Sequence, residues 1–228
     1  MKRGAAALVL AALLAVSVGA QESEVSPEIA VDLAGPWQIV PVDGAPACAV
    51  TLGTAPAPGG WRAEIDPLCR TQVPVAADTA GWTFADGMRL LDAQGATLMY
   101  FEEDETALAS SPSVASPAFY LVPAIPGFDR LRQPREWEGR WQFTAQGQKP
   151  CVLQFGPPRQ IDGQHSGGTV SVRRCGSALL RRMNRWYAEG LSLMLAGPQD
   201  AQIAFAPDGA ASHRSDDGRW RLARWQGR

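Results

Sequence analysis

Gly35-Pro36-Trp37-Gln38-Ile39, followed by Cys48-Ala49-Val50-Thr51-Leu52-Gly53, is the stretch that decides the architecture, because the chain repeats it. It returns as Gly139-Arg140-Trp141-Gln142-Phe143, then Cys151-Val152-Leu153-Gln154-Phe155-Gly156. Outward from there the landmarks keep their order. Cys69 is matched by Cys175 and Trp82 by Trp186. Asp86-Gly87-Met88-Arg89-Leu90-Leu91 is matched by Glu189-Gly190-Leu191-Ser192-Leu193-Met194, and Thr97 to Phe101 by Ala201 to Phe205. Self-similarity at this scale marks one supersecondary unit used twice.

The local pattern within a unit is that of strands. Trp37 to Val42, Cys48 to Leu52 and Met88 to Leu91 are short runs with apolar residues at alternate positions, the period of a half-buried strand. Asp86-Gly87, Gln94-Gly95, Asp208-Gly209 and Asp217-Gly218 are hairpin-turn pairs. Ala118 to Val122 and Arg219 to Trp225 read as the closing strands. About eight short strands per unit suit a closed antiparallel barrel, which leaves no sheet edge exposed. The expected fold is all-β: two tandem small antiparallel eight-stranded β-barrels, lipocalin-like, each with one disulfide. Residues 32–124 form the first and 137–228 the second, joined by a Pro-rich linker at 125–136 that reads as semi-rigid. Thr106 to Pro117, rich in Ala, Ser and Pro, reads as a long loop, and Ser177 to Arg185 as a short helix with a shorter counterpart at Pro67-Leu68-Cys69.

Residues 1–20 read as a secretory signal: Lys2 and Arg3, an apolar run from Ala5 to Val18, then Val18-Gly19-Ala20. The run is short beside the ~20 apolar residues that span a bilayer, so no membrane span is expected and the chain reads as periplasmic or secreted. Four cysteines behind such a signal favour disulfides. They allow three pairings, and spacing alone does not choose. The repeat does argue for Cys48 with Cys69 and Cys151 with Cys175, because each unit should fold by itself.

Charge is unevenly divided. Residues 21–124 carry 3 Arg against 14 Asp and Glu, whereas residues 125–228 carry 16 Lys and Arg against 9 Asp and Glu. The halves can attract each other or face different partners.

Catalytic signals are nearly absent. There is no zinc-protease helix motif, phosphate loop or nucleophile elbow. His165 and Ser166 are adjacent in sequence, a poor geometry for a base and its nucleophile, and Glu102-Glu103-Asp104-Glu105 lacks calcium-loop spacing. No enzyme activity, cofactor or metal site is expected. Arg173-Arg174 and Arg181 to Trp186 form a basic, aromatic cluster, but behind an export signal it reads as a solvated face and not a nucleic-acid site. Trp37, Trp82, Trp141 and Trp186 read as core.

Asp32-Leu33-Ala34-Gly35-Pro36-Trp37, Cys48 to Gly53, Cys69, Gly81-Trp82 and Leu90-Leu91-Asp92-Ala93-Gln94-Gly95-Ala96-Thr97-Leu98 together resemble the bacterial alkaline-protease inhibitor family, which includes outer-membrane lipoproteins. The resemblance covers Asp32 to Phe101 and continues in register, more weakly, over Trp137 to Trp225. It implies an exported inhibitor of serralysin-type zinc metalloproteases. It further implies that an N-terminal arm, here Gln21, Glu22, Ser23, Glu24 and Val25 within residues 21–31, enters the protease cleft and presents its free amine to the catalytic zinc. The second unit continues from a linker and has no such arm. The alternative reading is a non-inhibitory envelope module that binds a protein or a small ligand. Oligomeric state is left open.

Overall fold

The computed structural model describes residues 27–105, 107–114, 117–161, 165–173 and 175–227. The expected signal and the arm Gln21 to Val25 lie outside the described residues. A short helix, α1 (Pro27–Leu33), leads into β1 (Gly35–Pro41), β2 (Cys48–Ala57) and β3 (Gly60–Ile65). After a helical turn, α2 (Cys69–Gln72), come β4 (Gly81–Phe84), β5 (Gly87–Leu91), β6 (Thr97–Asp104), β7 (Ala107–Ser111) and β8 (Phe119–Pro123). Each strand pairs antiparallel with the next, and β8 pairs with β1 to close an eight-stranded barrel.

The second copy repeats the plan. Helix α3 (Pro134–Trp137) leads into β9 (Gly139–Ala145) and β10 (Cys151–Phe155). A two-residue strand, β11 (Arg159–Gln160), flanks β12 (Ser166–Arg173). Helix α4 (Ala178–Arg182) precedes β13 (Arg185–Glu189), β14 (Ser192–Ala196), β15 (Gln202–Pro207), β16 (Ser212–Ser215) and β17 (Trp220–Arg224). Pairing of β10 with β12 and of β17 with β9 closes this barrel, with β11 hanging on its edge.

Alternation explains why these runs are strands. In β2, Cys48, Val50 and Leu52 point inward while Ala49 and Thr51 face solvent, the period of two that a pleated strand imposes. An eight-stranded barrel is just wide enough to be filled by its own side chains. Ile39, Leu52, Trp82, Met88, Leu90 and Phe101 fill the first. The second is more aromatic: Trp141, Phe155 and Trp186 stack at 6.0 and 5.9 Å between ring centroids, and Phe143 meets Phe205 edge-on.

The repeated Trp residues do the same work in each copy. Trp37 donates its indole N–H to the Leu33 carbonyl (2.8 Å), and Trp141 donates to Trp137 (2.6 Å). Trp82 donates to Gly53 (2.8 Å), and Trp186 to Gly156 (3.2 Å). A buried indole needs such a partner, and here the partner is the backbone of the neighbouring landmark. Gly35 and Gly139 sit at the turn from helix to first strand with φ of 136° and 113°, a region that side chains with a Cβ strongly disfavour. Each barrel holds its own disulfide: Cys48–Cys69 joins β2 to α2, and Cys151–Cys175 joins β10 to the approach of α4.

One expectation fails inside the first unit. Residues 107–111, read as loop, are β7, which pairs with β6 and β8 and is needed for closure. Ala109, Ser110 and Ser111 have little strand propensity, so the pairing partners, and not the local pattern, make this a strand.

The barrels touch. Val40 and Val122 point out of the first barrel because their neighbours Ile39 and Leu121 point in. They form a third apolar cluster with Phe128 of the connecting segment and Leu191 from the β13–β14 turn. The connecting segment lies along this wall: Gln38 donates to the Phe128 carbonyl and accepts from the Ile125 N–H, both at 3.1 Å. The Ala47 N–H donates to Asp129 (2.7 Å), and the Gln133 side chain to Val42 (3.1 Å).

Candidate functional site

The start of the first barrel is where the expected arm would attach. Pro27 opens α1 and Glu28 stands in its first turn, a favourable place for a negative charge. Ala30 is fully buried against the barrel core, and Leu33 packs on it while its carbonyl receives the Trp37 indole. A chain arriving at residue 26 is thus held from residue 30 onward. Ile29 (39 % exposed) and Val31 (65 % exposed) face outward from the same helix, an apolar surface beside the point of attachment.

The matching place in the second barrel is closed. Trp137 occupies the end of α3 and is buried. Glu136 and Gln133 form a reciprocal capping box, and Arg130 grips the Glu136 carboxylate with both terminal nitrogens, one at 2.8 Å. That grip holds the Glu136 pKa at about 2. Arg224 donates to the Glu136 and Glu138 carbonyls, the latter at 2.7 Å. The helical turns that open the two barrels thus share one design and differ in accessibility.

The candidates for chemistry do not assemble. The Ser166 hydroxyl bonds to the Gln160 side chain, and His165 stands edge-on to Tyr187 at 5.6 Å. Among the described residues no group of three or more His, Cys, Asp or Glu could hold a metal ion. Asp66 and Asp92, in turns of the first barrel, accept backbone N–H groups and shape those turns. In the basic cluster, Arg181 reaches the Cys175 carbonyl, and Arg182 reaches Pro198 and the Gln199 side chain, so both tie loops together. No helix among the described residues is long and apolar enough to cross a membrane.

Residues 28–115 match the family described as protease inhibitor Inh. The first barrel is thus similar to the protease inhibitor Inh family. The match begins inside α1 and ends between β7 and β8, so it covers the helical lead-in, both landmark Trp residues and the disulfide. No curated protein matches the chain. The second barrel lies outside the matched range, and its kinship to the first rests on the repeat and on the shared indole–carbonyl bonds. Sequence reading missed the wall between the barrels, because Val40, Val122 and Leu191 look like ordinary strand residues until their outward direction is known.

Proposed function

We propose that the mature protein is an exported, periplasmic inhibitor of a serralysin-type zinc metalloprotease and that it acts through Gln21 to Val25. The observation that carries this reading is the inhibitor-family match starting at residue 28, on a helix whose Ala30 is locked into the barrel. A short segment attached to an anchored helix loses less entropy on entering a cleft than a free peptide does. Exposed Ile29 and Val31 would rest against the rim of the protease. The arm's first amine would approach the zinc of the target. Gln21 can cyclise and remove that amine, so an uncyclised N-terminus is required.

The test is deletion of residues 21–25 from the mature protein. Full-length protein should inhibit a serralysin-type protease, and the deletion should lose at least about tenfold in affinity, since an anchoring element of an interface carries about 2 kcal/mol or more. Its melting temperature should be unchanged. Equal inhibition by both forms would reject the arm. Mass spectrometry of the exported protein reports whether Gln21 is the first residue and whether it is cyclised.

A further inference from the structure

The connecting segment carries a guanidinium, that of Arg132, which makes no ion pair among the described residues although Asp129 and Glu136 both lie close enough to act on it. Arg132 lies over the faces of Trp137 and Trp141, 5.3 and 5.4 Å from the ring centroids. Its Nε is buried and has no hydrogen-bond partner. The carboxylate nearest in sequence on that side, Glu136, is held by Arg130 and by the Gln133 N–H. Burial pulls the Arg132 pKa below its usual value. Stacking two indoles on a guanidinium stabilises its face and leaves the in-plane donors for another group.

His213 on β16 closes the other side. It is 5 % exposed, stands edge-on to Trp137 at 4.8 Å, and its Nδ1 is buried without a partner. Arg132 and His213 line one cavity of about 80 Å³ between the connecting segment and the second barrel. Asp129, Arg130, Trp137 and Leu191 stand in the same wall. With His213 neutral, as burial dictates, and Arg130 paired with Glu136, Arg132 is the cation of this wall that makes no ion pair among the described residues, with Asp129 beside it. A buried polar group with no partner costs on the order of 1–3 kcal/mol, and the two residues that carry such groups line one space.

We propose that this cavity binds a small carboxylate anion, held in the plane of the Arg132 guanidinium and bonded by a His213 ring nitrogen. A forked guanidinium matches the two oxygens of a carboxylate. The space is small and partly open, so a compact ion can enter it. The site belongs to the junction and the second barrel, so its standing is independent of protease inhibition.

The experiment uses the full mature protein at pH 7.5, with labelled histidine, titrated with sodium acetate against sodium chloride at equal ionic strength. A saturable, acetate-specific shift of the His213 ring nitrogens is expected, together with a melting temperature that rises in acetate only. Arg132→Met should weaken acetate binding by about tenfold or more, as loss of a charge-assisted bond does. A linear response, or the same response in chloride, means that the cavity holds water only and overturns the proposal. Unchanged saturation in Arg132→Met overturns it as well. Should that variant fail to fold, Arg132→Lys keeps the charge but loses the fork: weaker binding supports the site and unchanged binding rejects it.

Discussion

The two barrels begin alike and are held differently at that beginning. In each, a helical turn ends on a carbonyl that takes the indole N–H of the first-strand Trp, and a glycine with positive φ turns the chain into the sheet. In the first barrel the buried helix residue is Ala30, and Ile29 and Val31 stay exposed. In the second the buried residue is Trp137, and Arg130, Gln133 and Arg224 fasten the turn. The same architectural element can therefore stand open in one barrel and act as a joint between barrels in the other. What differs is the size of one buried side chain and the ionic clamp around it.

The largest effect should come from the element the copies share. Trp82→Ala and Trp186→Ala each remove a fully buried indole with its bond to Gly53 or Gly156. Each should cost about 3–5 kcal/mol, read from the urea midpoint. A cost confined to one of them would break the claim that the barrels are energetic equivalents. Next, replacing Cys48 and Cys69 together with Ser removes a 21-residue loop constraint and should cost about 3 kcal/mol. The matching change at Cys151 and Cys175, a 24-residue loop, should cost about the same.

Leu191→Asp addresses the contact between the barrels. It places a charge in the cluster with Val40, Val122 and Phe128 and should cost about 2 kcal/mol of coupling. Calorimetry should resolve two melting transitions where the parent has one. A single unchanged transition would mean that the wall contact contributes nothing to cooperativity.

Acid sharpens the contrast with smaller effects. Both histidines lie in the second copy. Burial lowers the His213 pKa from 6.5 to about 4 in the fold, so the folded state favours the neutral ring. The stability this contributes is complete above pH 6.5 and is lost as pH falls toward 4. The second barrel should therefore weaken between about pH 7 and pH 4.5 while the first does not, and His213→Phe should flatten that dependence. Glu136 acts lower. Its pKa is lowered from 4.5 to about 2, so its contribution is present above pH 4.5 and lost on the way to pH 2. Because the clamp is partly solvated, Glu136→Gln should cost no more than about 1 kcal/mol at neutral pH.

Much of the plan was legible in the chain. The repeat placed the two units, the alternation of Cys48, Val50 and Leu52 marked a wall strand, and the one-disulfide-per-unit argument holds in both copies. Residues 107–111 were not legible, because Ala and Ser carry no alternation signal and only neighbours on both sides make them a strand. Nor could Arg132 and His213 be joined across so long a separation, since nothing local in either stretch points at the other.

By itself the sequence determined the number of barrels, the residues that fill them and the landmark that starts each one, because hydrophobic period and turn chemistry are local. Tertiary structure alone decided which of the two helical lead-ins is open and which is clamped. That outcome depends on outward-facing Val40 and Val122 meeting Leu191 and on Arg130 reaching Glu136, contacts between surfaces that no periodicity encodes.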